Sequence, residues 1–206
     1  MPDPIEFWFD FSSPYAYFAA HTIERRLEPY GRAIAWRPFL LGVAFRVTGM
    51  SGLSRTPLRG DYARHDWRRL SRMLGVPFAI PPHHPYPSQP VARAFYHLEA
   101  HEPDIAVPFA KAAFDAHFAH GIDLSDADAV VALARPLVSN PEALSAWLAS
   151  PEAKARLAAA NEEAIGKGVF GSPFFIADHE PFWGWDRIGM LEQWLRNGSR
   201  WPETNT

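Results

Sequence analysis

The chain has 206 residues, a net charge of −3 and no cysteine. That length allows one large domain or two small ones with a sizeable core, and the charge gives no electrostatic basis for binding nucleic acid or an anionic membrane. The missing thiols exclude structural disulfides, thiolate metal sites and an intrinsic redox dithiol.

Hydrophobic residues make up 48 % of the chain and charged residues 21 %, values usual for a soluble globular protein. Aromatics reach 14 %, with eight Trp and fifteen Phe, which points to an aromatic core, an apolar pocket, or both. "MPDPIEFWFD" carries acids and no basic region, so it does not read as a secretory signal. No apolar run is long enough to span a bilayer, and "WPETNT" matches no receptor-read address. The reading is of a cytoplasmic protein.

The first element is a strand over 4–11, with Phe7, Phe9 and Phe11 on one face and Glu6, Trp8 and Asp10 on the other. Apolar groups on both faces suit a central strand of a covered sheet. A helix follows over 14–27, with Ser13 as N-cap and Pro14 at the first helical position, where a missing N–H costs nothing. "AIAWR" (33–37) makes a second strand, parallel to the first through the crossover helix.

From about Gly42 to Gly168 the pattern is helical, broken by Pro, Gly and His stretches. Helices are expected over 61–74, 91–101, 105–120 and 126–137, the last capped by Ser125. "PFAIPPHHPYPSQP" (77–90) is too Pro-rich for a regular element. Asn140-Pro141 and Ser150-Pro151 repeat the cap-then-Pro start. Strands return with "SPFFIAD" (172–178) and "EPFWGW" (180–185), joined at Asp178-His179, and "DRIGMLEQWLRNG" (186–198) is the final helix with Asp186 in its first turn. The order βαβ, helices, ββα resembles an α/β thioredoxin-like fold interrupted by an all-α insertion. The expected division is 1–42 with 168–206 as the thioredoxin-like domain, and 43–167 as the helical insertion domain.

Three positions stand out chemically. Ser13 sits where free N–H groups and the helix dipole favour a negative charge, although a plain cap explains the residue alone. Ser172-Pro173 opens a strand, the place where thioredoxin-like proteins keep a cis proline; an ordinary trans proline is the bland alternative. Asp186 starts a helix and could also hold a ligand ammonium. His117, His120 and Asp123 fit no metal-ligand spacing, so no metal site is assigned, and His83-His84 are candidate pocket residues.

Five blocks in order, "FWFDFSSPYAYFAA" (7–20), "WRPFLLGVAFRVTG" (36–49), "GIDLSDADAV" (121–130), "GVFGSPFFI" (168–176) and "FWGWDRIGMLEQWL" (182–195), resemble the 2-hydroxychromene-2-carboxylate isomerases, relatives of the kappa-class glutathione transferases within the DsbA-like thioredoxin folds. The resemblance implies that the absent thiol comes from glutathione. It places the catalytic serine at Ser13, its hydroxyl donating to the glutathione sulfur, and the backbone pairing with the cysteinyl unit at Ser172 beside Pro173. It gives the γ-glutamyl ammonium to Asp186, a carboxylate contact to Trp185 and the glycyl carboxylate to Arg59. It also implies a homodimer and an aromatic keto-acid substrate. Met50 stands where relatives carry Asn, and Gln89-Pro90 breaks the usual "FPxN" pattern, so the substrate pocket differs. Phe39, Phe45, Tyr86 and Trp183 to Trp185 are candidate walls, with Arg59 and His84 as contacts for developing negative charge. The leading reading is a glutathione-dependent cis–trans isomerase. Two others are a kappa-like transferase or peroxidase on apolar electrophiles, and a non-catalytic thioredoxin-like binding module.

Overall fold

Aromatic residues on both sides of the first strand decide the layering of the molecule. The computed structural model describes residues 3–202; the terminal residues 1–2 and 203–206, which bear on the targeting signals and outer domain limits read above, lie outside the described residues. Strand β1 (Ile5–Phe9) pairs in parallel with β2 (Ile34–Pro38) and antiparallel with β3 (Phe174–Ala177), which pairs antiparallel with β4 (Glu180–Trp183), giving the order β2-β1-β3-β4. Phe7 lies opposite Trp36 on one side and Phe175 on the other.

On one face Phe7 and Phe9 join Phe175, Trp36, Phe95 and Phe114, with the Phe9 ring 5.6 Å from Phe114 and 6.2 Å from Phe95. On the other face Trp8 packs with Phe39, Ala164, Val169 and Phe174. Both faces of the central strand are therefore covered, which is why it is apolar on both sides.

The elements differ from the sequence reading mostly at their ends. The first strand stops at Phe9 rather than 11, because Asp10 to Ser13 leave the sheet to form a turn, in which Asp10 is buried. Pro173 stays outside β3, and β4 ends before Gly184, whose φ of 109° breaks the strand. The β3–β4 connection puts Asp178 and His179 at φ 53° and 68°, the left-handed pair that matches hairpin twist.

Helix α1 (Pro14–Leu27) starts as read, and the next helix, α2 (Leu41–Thr48), is a separate element that periodicity had not resolved. Then come α3 (Arg59–Leu74), α4 (Gln89–His101), α5 (Pro103–Phe118), α6 (Ala127–Ala134), α7 (Pro141–Ala149) and α8 (Pro151–Gly166). Asn140 and Ser150 accept from Ala143 and Ala153 N–H at 3.0 and 3.1 Å, as their spacing predicts. Ser125 caps nothing: its N–H donates to Asp123 at 2.9 Å, and Asp126 takes the cap position without a side-chain bond. Asp186 lies in a short 3₁₀ turn (Trp185–Arg187) that precedes, rather than belongs to, α9 (Ile188–Arg196). Among the described residues no helix is long and apolar enough to cross a membrane.

Helices α4 and α5 share one core with β1, so the sheet and the intervening helices should unfold together. Phe9→Ala should lower stability by about 3–5 kcal/mol in a single transition seen alike by circular dichroism and Trp fluorescence. Two separated transitions would contradict a shared core.

Candidate active site

The turn after β1 is built on Asp10. Asp10 is 4 % exposed, and a carboxylate so buried is tolerated only when donors surround it. Oδ1 accepts from the Ser12 N–H (2.8 Å), the Ser12 hydroxyl (2.8 Å) and the Ser88 hydroxyl (2.7 Å), and Oδ2 accepts from the Leu41 N–H (2.8 Å). The Asp10 N–H donates to Ser172 Oγ at 2.9 Å, and the Asp10 carbonyl accepts from the Ser13 N–H at 2.9 Å.

This arrangement aims Ser13. Its backbone is extended (φ −93°, ψ 114°), its Oγ accepts from the Ala16 N–H at 3.3 Å, and Pro14 opens the helix. The same hydroxyl donates to the Ser172 carbonyl at 3.0 Å. The Ser172–Pro173 bond is cis. Ser13, Ser172 and Pro173 thus meet at the positive end of α1.

The other candidates lie further out. The turn carrying Trp185 and Asp186 packs against α1. Asp186 is exposed, bonds Arg187 at 2.7 Å, and is close enough to contribute to raising the Tyr15 pKa, a shift caused first by burial and then by Asp66. Gly184 is needed here, since its φ of 109° is a conformation that residues with a Cβ rarely adopt. The partly buried Trp185 presents a buried Nε1 with no partner among the described residues, a donor suited to a carboxylate. Arg59 opens α3 beside Leu58 (φ 63°), is exposed, and makes no ion pair among the described residues. Of the expected walls, Phe39 belongs to the core on the opposite sheet face, while the exposed Trp183 ring packs on Phe170 and closes over Gly171.

Sequence reasoning missed Asp10, Ser88 and Asn161, whose Oδ1 accepts from the Leu40 N–H at 2.8 Å. Only Asp10 left a local signal: Asp two residues before Ser is an Asx-turn pattern.

The loop that carries Ser88 also carries a second cis bond, His84–Pro85. Burial lowers the His84 pKa to about 4, helped by His83 and Arg55. Burial likewise lowers His117 to about 4, against an opposing bond to the Ile122 carbonyl. His117 is fully buried, so it is packed rather than solvated. Among the described residues no group of three or more His, Cys, Asp or Glu is arranged to hold a metal.

A family model described as a DSBA-like thioredoxin domain matches residues 4–196. A 2-hydroxychromene-2-carboxylate isomerase of Pseudomonas putida is 30 % identical over 192 residues, 91 % of this chain and 92 % of that protein. Glutathione S-transferase kappa 2 of Caenorhabditis elegans is 26 % identical over 211 residues, 96 % of this chain and 94 % of that one. The solved structure of a 2-hydroxychromene-2-carboxylate isomerase superposes with a TM-score of 0.83 at 26 % identity, covering 95 % of this chain and 96 % of that chain.

The two histidines give a pH prediction. Both have folded values near 4, below the ordinary value of about 6.5. Between those limits the unfolded chain binds protons that the folded chain refuses, so stability falls as pH drops from about 6.5 to 4. His117→Phe, with nothing to titrate, should show a shallower fall in denaturant midpoint over that window. An equal fall would assign the acid sensitivity to other groups.

Proposed function

This chain belongs to the DSBA-like thioredoxin domain family and, within it, to the 2-hydroxychromene-2-carboxylate isomerases, and on that premise we propose that it is a glutathione-dependent cis–trans isomerase of aromatic keto acids. The observation that carries the reading is the Ser13 hydroxyl, held at a helix start beside the Ser172 carbonyl that precedes a cis proline, in a chain with no thiol of its own.

The residues fit the cofactor. The unpartnered buried Trp185 Nε1 suits a carboxylate, the exposed Asp186 suits an ammonium, and Arg59 suits a second carboxylate. The Ser172 carbonyl offers itself to a backbone N–H, as one rung of an added strand. Glutathione, when bound, supplies a thiolate, a strong nucleophile and a competent leaving group for a double bond conjugated to a carbonyl.

The chain's own part is electrostatic. The Ser13 hydroxyl now donates to the Ser172 carbonyl. With a peptide N–H on that carbonyl, the Ser13 hydroxyl would be free to donate to a neighbouring sulfur instead. A hydrogen bond to the charged form favours ionisation, and the N-terminus of α1 adds its dipole in the same sense. Serine stays protonated in this role and acts as donor, not base.

The kappa-class relative supports a transferase on apolar electrophiles as the second reading. A homodimer is part of the proposal; exposed Val47, Leu58 and Tyr62 on and between α2 and α3 supply apolar surface for it.

Ser13→Ala should raise the pKa of the bound thiol by about 1–2, the equivalent of one hydrogen bond to a charged group, with thiolate absorbance as the readout. An unchanged pKa would remove Ser13 from its role. Asp186→Asn should weaken glutathione by about tenfold to a hundredfold in calorimetric titration. With 2-hydroxychromene-2-carboxylate, substoichiometric glutathione should sustain full conversion. Its one-for-one consumption by an apolar electrophile, without isomerisation, would favour the transferase.

A further inference from the structure

Charge is spread unevenly along the chain. Of its 20 Lys and Arg and 23 Asp and Glu, residues 46–72 hold seven arginines and two aspartates, a net of +5 that leaves −8 for the remainder. Both aspartates are compensated: Arg64 donates to Asp61, and Asp66 accepts from the Tyr15 hydroxyl and from Arg69, each at 3.0 Å. The other five arginines, Arg46, Arg55, Arg59, Arg68 and Arg72, are exposed and form no ion pair among the described residues.

The fold sets this segment against the Ser13 turn. The N–H of Leu41, which opens α2, donates to Asp10. Helix α3 packs on α1 through Tyr15, which bonds Asp66 and lies 5.9 Å from the Trp67 ring. The 3₁₀ turn Leu53–Arg55 is clamped on α3: Arg64 donates to the Ser54 carbonyl at 3.1 Å, and a Cβ on Gly60 would stand 2.8 Å from that oxygen. Arg55 is close enough to oppose protonation of His84, behind the larger effects of burial and of His83.

The acids around the turn offset little of this charge. Asp186 pairs with Arg187 at 2.7 Å, and Asp10 faces four donors. The N-terminus of α1 adds a positive end of its own. A chain of net −3 repels an anion from afar, but exposed charges more than about 8–10 Å apart are largely screened at ordinary salt. Near the Ser13 turn the arginines therefore set the sign of the field. Both molecules proposed for the site are anions: glutathione has two carboxylates and one ammonium, and the keto acid has a carboxylate. An uncharged electrophile gains nothing from such a field.

We infer that Arg46 and Arg55, together with Arg59, form a positive collar that draws anionic ligands to the Ser13 site and so selects by charge before any contact is made. Arg46 and Arg55 act at a distance, on the rate of encounter rather than on the lifetime of the complex. The identity of the anion rests on the glutathione reading above, whereas the collar does not.

The test uses the full chain labelled with ¹⁵N and two nitroxides of one shape, one bearing a carboxylate and the other an ammonium. The anionic nitroxide should relax the amides of Ser12, Tyr15 and Trp185 about threefold more than the cationic one at low salt, and the two should converge at roughly 0.5 M salt. Arg46→Gln combined with Arg55→Gln should cut that preference by about half. In stopped-flow fluorescence, glutathione association should slow by about fivefold to tenfold between roughly 0.01 M and 0.3 M salt, with dissociation little changed. The double variant should associate more slowly at low salt and show a shallower salt dependence. Equal relaxation by the two nitroxides, stronger relaxation by the cationic one, an undiminished preference in the double variant, or a salt-independent association rate would overturn the collar. A clear preference for the anionic nitroxide with no glutathione binding would support the collar and count against the cofactor, so the two failures are told apart.

Discussion

A single buried carboxylate organises the site. Asp10 receives four donors, from the Ser12 N–H, the Ser12 and Ser88 hydroxyls and the Leu41 N–H, while its backbone bonds Ser172 Oγ and the Ser13 N–H. Hydrogen bonds to a charged acceptor are the stronger kind, and removing that acceptor would strand several buried donors together. Four segments far apart in sequence are therefore held at one point: the end of β1 with the start of α1, the start of α2, the start of α4, and the cis-proline loop. Asn161 on α8 adds a second tie at Leu40.

That constraint separates the site into a fixed part and an adaptable part. Ser13, Ser172 and Pro173 sit at the ends of packed elements, with Ser13 and Ser172 hydrogen-bonded to each other, and a fixed donor is what electrostatic stabilisation of an anion requires. The Trp185–Asp186 turn and Arg59 lie at the exposed margin, where long side chains can close on a peptide-like ligand. Beyond Ser88 the loop between α3 and α4 carries His84 and Tyr86 against Trp67 and His117. The carboxylate therefore ties the turn that carries Ser13 to the loop that carries His84 and Tyr86.

Much of the fold was legible because its signals are local. Ser13-Pro14, Asn140-Pro141 and Ser150-Pro151 each place a cap oxygen three residues before the N–H it receives, and a window of four residues suffices to see that. The doubly apolar β1 announced a central strand, and Asp178-His179 announced a hairpin. The Asp10 knot was not legible in full, because its bonds span 31, 78 and 162 residues and leave no spacing in the chain. Asp10 read as part of the strand, on the face it shares with Glu6 and Trp8, whereas the strand ends at Phe9 and Asp10 opens the turn. Ser125 misled for the opposite reason: it has the right type for a cap, yet it belongs to the turn held by Asp123 and the helix starts after Asp126. His117 could be read only as packed or solvated, since its partners come from a loop more than thirty residues earlier. Trp185 and Arg59 were expected from resemblance alone, whereas Asp186 also stood out as an acid opening a helix; the exposed setting of Asp186 and Arg59 gives no local sign of what they hold.

The central claim is that the Asp10-held turn presents the Ser13 hydroxyl to a borrowed thiol. A crystal structure of the chain with bound glutathione tests it most directly. The account predicts the sulfur about 3–3.3 Å from Ser13 Oγ, with the cysteinyl N–H on the Ser172 carbonyl and Asp10 unmoved. Glutathione bound with its sulfur turned away from Ser13, or bound away from the Ser172–Pro173 bond, would contradict it.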